Sequence, residues 1–281
     1  MGFKLYSRNF SNNWEEDNFI RTPGGDNRLP QIDDDVFTGA SESSSGKSIT
    51  GGLNQSNIRL NSFTQTKLFA AQIGTSSTSL QIDISEARFF GQGNVYWEAN
   101  NTYAVPKVLI HTANPSALIA IDSDSSATEG FVEIVLSQGN LNCGANFMWS
   151  AGGLLQVSGN STATLESGGT PLPSLMAFGG TILCSAGLTQ GHIAGSTVLT
   201  IDTNALTGDL VIGPGARCIL NDEAQAGDGA VIFVHPGGIL DLTQNSFAKT
   251  IDELHLMPGS ILHDNPNLHT YVTLYDDRQT L

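Results

Sequence analysis

A chain of 281 residues carrying 27 acidic against twelve basic side chains, a net charge of −15, is a poor partner for phosphate-rich surfaces. A groove that tracks nucleic acid or an anionic membrane needs several Lys or Arg, and residues 111–281 offer only Arg217, Lys249 and Arg278 against sixteen Asp or Glu. No apolar run is long enough for a transmembrane helix. With 31 glycines, 14% charged residues and no stretch at helical spacing beyond about two turns, the composition favours short strands and tight turns.

Residues 1–40 read as an N-terminal arm and cap. They hold Trp14, the acidic run Glu15-Glu16-Asp17 and the loop-forming Thr22-Pro23-Gly24-Gly25-Asp26-Asn27. A stacked body has to close its first coil against water, so terminal segments depart from the repeat; Trp14 or Phe19 is the expected lid. Met1 to Tyr6 lack an apolar core, so no classical signal peptide is expected, and Tyr6 stands where a myristoylation motif requires Ser or Thr. Asp33-Asp34-Asp35-Val36-Phe37 starts the first strand-like run, Ser41 to Gly46 is a serine-rich loop, and Lys47-Ser48-Ile49-Thr50 is the next short strand.

The body is read over residues 41–264, and its clearest signal is periodic. Pro214-Gly215, Pro236-Gly237 and Pro258-Gly259 recur at one constant interval (236 − 214 = 258 − 236 = 22). Val211-Ile212, Phe233-Val234 and His255-Leu256 lead into them, and Cys218, Leu240 and Leu262 follow at one fixed offset. Upstream, Gly93, Pro115, Gly139, Gly159, Gly180 and Gly195 continue toward Gly215 at gaps of 22, 24, 20, 21, 15 and 20. The residue after each marker is small or short-polar, as a tight stacked corner requires. One turn and two strand-like runs per period of about 20–25 residues is the signature of a solenoid. Evenly spaced turns also occur in a β-sandwich, but at about 8–12 residues per strand. The expected fold is therefore all-β: a single-stranded parallel β-helix (solenoid) with an N-terminal arm or cap. Ser167 to Pro173 and Asp222 to Gly229 read as turn excursions. Residues 265–281 lose the pattern, then offer Tyr271-Val272-Thr273-Leu274-Tyr275 as a C-terminal cap or exchange strand. Cys143, Cys184 and Cys218 sit among apolar residues at no metal-ligand spacing, so buried thiols filling interior positions are expected.

At residues 13–50 the sequence resembles a known family. Asn13-Trp14, Gly24-Gly25, Leu29-Pro30, Asp33-Asp34-Asp35-Val36-Phe37 and Ser45-Gly46-Lys47-Ser48-Ile49-Thr50 are similar to the opening of tailed-bacteriophage virion structural proteins with a β-helical body. Those proteins typically begin with Asn-Trp, a glycine-rich loop, Pro-x-x-x-Asp-(Asp/Asn)-Val-(Phe/Tyr) and a Gly-(Gln/Lys)-(Thr/Ser)-(Val/Ile)-Thr strand. The likeness covers about 40 residues well and the repeats in style. This chain lacks the aromatic start (Tyr-Trp-Val) of many of them. The resemblance implies a particle component, either a capsid decoration (cement) protein or a tail-associated one, often a trimer. Its location would be the outer capsid surface of the virion after synthesis in the host cytoplasm, and its partners the major capsid protein or other virion subunits.

Chemistry is harder to place. A glycosidase needs two carboxylates about 5–10 Å apart, which on a stacked body would come from one position on neighbouring coils. In the Pro-Gly register Asp241 falls between Ile219 and His263, Asp222 beside Gln244, and Glu253 beside Val231. The local sets Asp122/Asp124 and Asp83/Glu86 find no partner one coil away in that register. Arg217 reads as facing outward, with no acidic cluster flanking it in that register. His235 and His255 are two positions out of alignment, so no metal site is expected, nor any cofactor, and no catalytic residue is assigned. Phe89, Phe90, Tyr96, Trp97 and Tyr103 cluster within fifteen residues of a chain that is only 7% aromatic, which marks a contact surface, a core segment or a glycan platform. The residues expected to make contacts are Arg8, Trp14, Phe19, Arg21 and Arg28 in the arm, with Tyr96, Trp97 and Tyr103 on the body. The expected role is non-enzymatic bracing of a phage shell as a homotrimer. The alternatives are a tail fibre that recognises host polysaccharide, or a β-helix polysaccharide lyase or hydrolase.

Overall fold

The structure, a computed structural model, describes residues 4–7, 19–22, 29–38, 48–99, 103–202, 206–221, 229–244, 251–265 and 271–278. Arg8, Trp14, Arg28, the serine-rich loop and most of the Asp222 excursion lie outside them, as do the side chains of Phe19 and Arg21. Among the described residues there is no helix. The fold is a parallel β-solenoid, and the chain divides into two compact units, Met1–Ser150 and Ala151–Leu281.

The first unit contains β1 (Lys4–Ser7), β2 (Phe19–Thr22), β3 (Asp35–Phe37), β4 (Ser48–Ile49), β5 (Asn54–Gln65), β6 (Gln72–Ile73), β7 (Leu80–Phe89), β8 (Val95–Ala99), β9 (Lys107–His111), β10 (Leu118–Ser123), β11 (Phe131–Gln138) and β12 (Asn140–Cys143). Its odd strands stack in parallel from β3 to β11 and its even strands from β4 to β12. Side chains alternate across a strand, so one inward position on successive coils builds a core column: Val36, Phe63, Ala87, Val108 and Ile134, all fully buried. Each branched aliphatic side chain enclosed this way contributes about 1.5–3 kcal/mol. An aromatic series runs through the same core. Phe89 meets Trp97 at 6.2 Å, Trp97 meets Phe131 edge-on at 5.5 Å, and Phe131 stacks on Phe147 at 4.6 Å.

The start of this unit is closed by a hairpin. β1 lies parallel on β3 and antiparallel to β2, so the described strands of the N-terminal segment form a cap on the first coil. The ladder begins at Asp35, within the segment assigned to the cap, because β3 is already paired with β5.

In the second unit, β13 (Trp149–Ser158), which begins in the first, leads to β14 (Thr162–Leu165), β15 (Leu172–Phe178), β16 (Thr181–Cys184), β17 (Leu188–Ile193), β18 (Val198–Ile201), β19 (Leu210–Ile212), β20 (Arg217–Leu220), β21 (Val231–Val234), β22 (Ile239–Asp241), β23 (Ile251–Leu256), β24 (Ile261–His263) and β25 (Tyr271–Asp276). Two parallel ladders run through it again, odd strands to β25 and even strands to β24. The Pro-Gly register holds position by position: Phe233 pairs with Val211 and His255, and Leu240 with Cys218 and Leu262. Gly215, Gly237 and Gly259 form a column in which the amide of Gly215 donates to the carbonyl of Gly237 at 2.9 Å, and that of Gly237 to Gly259 at 2.8 Å. All three have positive φ (78°, 76° and 81°), a conformation that L side chains rarely adopt. The residue that follows is small for a second reason. A Cβ on Gly238 would sit 2.5 Å from the Ile212 carbonyl oxygen of the coil before.

The pattern does not end at residue 264. β25 is a further parallel rung, with Tyr275 beside His255 and Thr273 beside Glu253. This rung comes two positions early (273 − 253 = 20) and carries no Pro-Gly marker, which is why the sequence register lost it.

All three cysteines are buried and none is in a disulfide. Burial pushes the Cys184 thiol up to about 12 and the Cys218 thiol higher still. The thiolate is the reactive form, so a thiol reagent should label none of the three in the native protein and all of them after unfolding. Rapid native labelling of Cys218 would contradict the placement.

Candidate functional site

Two outward surfaces gather side chains that the fold does not need for its own core. The first is a polar column in the first unit. Asn54 pairs with Gln81, Gln81 with Glu98, and Glu98 with Asp122, so four amide or carboxyl groups occupy one position on successive rungs. Ser79 donates its hydroxyl to Glu98 Oε2 at 2.8 Å, and Gln81 donates its amide to the same oxygen at 3.3 Å. Thr50, Asn54, Ser77, Thr78, Gln81 and Glu98 border a cavity of about 340 Å³. This surface can exchange hydrogen bonds with a polyhydroxylated ligand, with Leu53 as an apolar neighbour.

Asp122 therefore has the partner one coil away that the Pro-Gly register could not supply; the true offset to Glu98 is two positions longer than that register (122 − 98 = 24). Partial burial raises the pKa of Asp122 above the ordinary value, with the Glu98 charge a smaller contribution in the same direction. The amides of Ser123 and Asn146 donate to Oδ1 at 2.9 and 3.0 Å and oppose that rise. Gly144 leaves room for the carboxylate, since a Cβ there would lie 2.5 Å from Oδ2.

The second surface is an outward column on the odd ladder of the second unit. Met176, His192, Val211, Phe233, His255 and Tyr275 stand in register on successive rungs. Phe233 stacks on His255 with ring centres 4.6 Å apart, and His255 on Tyr275 at 4.4 Å. Phe178, 56% exposed, lies beside His192 at 6.0 Å. Met176 is 39% and Tyr275 46% exposed, so this stripe faces solvent and not the core.

On the even ladder, Asp241 occupies an outward position yet is only 1% exposed. Thr243 donates to Oδ1 from its amide at 2.9 Å and its hydroxyl at 2.6 Å, Arg217 pairs with Oδ2, and His263 Nδ1 lies 3.7 Å from Oδ2. Burial alone would raise this carboxyl; the Thr243 and Arg217 hydrogen bonds outweigh it and hold the pKa at about 2. Arg217 does face outward, and no acidic cluster sits at its register position, but one carboxylate, Asp241, pairs with it. Its guanidinium reaches diagonally across one rung to Asp241.

The aromatic cluster divides by strand parity. β8 alternates buried and half-buried, so Trp97 points inward and is 1% exposed, with its indole N–H donated to the Ile82 carbonyl at 2.9 Å. Trp97 is a core residue and is withdrawn as a contact residue; Phe89 is buried with it. Tyr96 is half-buried on the outer face, and Tyr103 is 55% exposed with the Arg59 guanidinium 4.3 Å from its ring centre. Phe19 and Arg21 fall in β2 of the cap. Among the described residues no three His, Cys, Asp or Glu converge as metal ligands. The outward column of the second unit was missed as a unit, although the register that aligned His255 with Phe233 contained it.

No family model, curated protein or solved structure matches the chain.

Proposed function

We propose that this chain is a non-enzymatic virion structural protein of the tailed-phage kind, a decoration (cement) protein that braces an outer capsid surface. In this reading it acts as a homotrimer against the major capsid protein or other virion subunits. The observation that carries it is the solvent-facing column from Met176 to Tyr275 with Phe178 beside it: an apolar or ring-bearing side chain at every rung of a parallel ladder. Exposed apolar area of that kind marks an interaction surface, and repeated weak contacts add up when many copies bind one lattice. The resemblance of residues 13–50 to phage proteins supplies the kind of particle.

Deleting residues 1–32 would remove the hairpin that closes the first coil and so would mix folding with docking. The cleaner test substitutes exposed positions. Met176→Asp with Phe178→Asp should leave the melting temperature nearly unchanged, as outward substitutions usually do, while loading onto particles falls by about tenfold or more. Unchanged loading, or a handful of copies at the tail, would reject the shell role.

A second reading, a tail fibre contacting host polysaccharide, is favoured by one observation: the Asn54–Gln81–Glu98–Asp122 column beside its polar cavity. It requires glycan-array binding that Glu98→Gln weakens, with Tyr103 and not Trp97 as the accessible ring.

A further inference from the structure

In the first unit the chain turns a corner between each odd strand and the next even one, and these corners stack. The amide of Phe90 donates to the Gln65 carbonyl at 3.0 Å, that of Ala113 to Phe90 at 3.1 Å, and that of Thr112 to Gln138 at 3.1 Å. Two buried side chains fix the geometry. Gln65, 0% exposed, accepts from the Gly91 amide at 3.3 Å and donates to the Gly93 carbonyl at 3.0 Å. Thr112, also 0% exposed, donates its hydroxyl to the Asn114 carbonyl at 2.7 Å. Gly139, at φ 115°, fits over it where a Cβ would lie 2.6 Å from that hydroxyl oxygen.

The corners border a cavity of about 420 Å³ lined by Lys67, Phe90, His111, Thr112, Ala113 and Gln138, a size usual for small-ligand sites. Lys67 and His111 are exposed, Phe90 and Gln138 half-buried. Ser137 Oγ lies 3.0 Å from His111 Nδ1 and holds the ring, which leaves Nε2 without a partner among the described residues. The Lys67 ammonium and the Gln138 side-chain amide have none among them either. No carboxylate lines the cavity. Residues 64–71, 89–97, 110–119 and 136–147, which supply these corners, contain no Asp or Glu in a chain that has 27. The carboxylates farther back on the same ladder, Glu86 and Glu133, are paired with Arg88 and Lys107 at 2.8 and 3.0 Å.

In so acidic a chain an ammonium attracts an anion only where the local field is not already negative, and this corner meets that condition. A phosphate usually meets an Arg fork or a nest of backbone amides; one ammonium matches a singly charged carboxylate. Gln138 and His111 add hydrogen-bonding groups for hydroxyls, and Phe90 adds an apolar face. We propose that this corner binds a sugar acid, as the free acid or as a unit of an acidic polysaccharide. Lys67 meets the carboxylate, Gln138 and His111 Nε2 the hydroxyls, and Phe90 the apolar face of the sugar ring. The site shares no residue with the outward column of the second unit or with the Asn54–Asp122 column, so it stands whether or not the chain braces a shell.

The test is a titration of the purified chain with galacturonate and with glucuronate, followed by saturation-transfer NMR. At least one acid should bind saturably, and its neutral counterpart, galactose or glucose, about tenfold or more weakly. Lys67→Gln should lower the affinity for the acid about tenfold and leave that for the neutral sugar unchanged, while Gln138→Ala should weaken both. Both positions lie outside the core, so each variant should keep the native melting temperature. An oligomer of the acid that binds more tightly than the monomer identifies a polysaccharide as the source; equal affinity identifies the free acid, and either result supports the site. Absence of saturable binding by both acids overturns the proposal. So does acid binding that Lys67→Gln leaves unchanged, or inorganic phosphate that binds as tightly as the acid, which would reduce the site to an anion contact.

Discussion

Trp97→Ala is expected to destabilise the protein by about 3–5 kcal/mol, a large share of the roughly 5–15 kcal/mol that a domain has available. The ring is 1% exposed and is held between Phe89 at 6.2 Å and Phe131 at 5.5 Å, so truncation leaves a cavity in the aromatic series. It also removes the donor to the Ile82 carbonyl, itself on a fully buried residue, and an orphaned buried acceptor costs about 1–3 kcal/mol on its own. Trp97→Phe separates the two contributions. It keeps most of the ring volume and loses only the indole N–H, so its cost should be nearer to about 1–2 kcal/mol. Urea unfolding of both variants checks this. Tyr103→Ala, at a ring 55% exposed, should by contrast stay within about 0.5 kcal/mol of the wild type. Equal costs for Trp97→Ala and Tyr103→Ala would show that the parity assignment is wrong.

That contrast shows what the residues alone could disclose. Val95-Tyr96-Trp97-Glu98-Ala99 alternates in, out, in, out, in, and both flanking small apolar residues demand the inward parity that buries Trp97. Cluster density pointed to a surface; parity pointed to the core, and packing obeyed parity. The solenoid itself was legible because Pro-Gly corners force one geometry at one spacing, so pairs such as Phe233 with His255 follow from counting. Counting fails where the coil length drifts. Paired positions differ by 24 at Glu98 and Asp122 (122 − 98), by 19 at Val198 and Arg217 (217 − 198), and by 20 at Glu253 and Thr273 (273 − 253). Each change in loop length shifts every later alignment. The polar column and the last rung were hidden by that drift. The Arg217–Asp241 pair was hidden for another reason. A register compares equal positions, whereas a long guanidinium spans two residues along the strand as well as one rung across it.

Arg217→Met should cost about 2–3 kcal/mol at neutral pH, somewhat below the usual penalty for breaking a buried pair because Arg217 itself is 43% exposed and partly solvated. The loss arises on the other partner: Asp241 stays 1% exposed, with Thr243 and His263 beside it but no permanent cation to compensate its burial. Asp241→Asn in the Arg217→Met background removes the stranded charge and should recover part of the loss, a non-additivity that a double-mutant cycle reads directly. The pH dependence follows from the direction of the shift. The folded-state pKa of about 2 lies below the value near 3.9 of an unfolded aspartate, so the pair's stabilisation is fully present above about pH 4 and is lost as pH falls toward about 2. In Arg217→Met burial is no longer outweighed by the cation, the folded-state pKa moves up, and this part of the acid loss should shrink or change sign. Urea midpoints measured across that window should therefore converge for wild type and Arg217→Met at the acid end, having differed most at neutral pH. Parallel curves, with the same gap at pH 7 as at the acid end, would mean that Arg217 stabilises the β20–β22 rungs by packing its aliphatic stem and not by its charge.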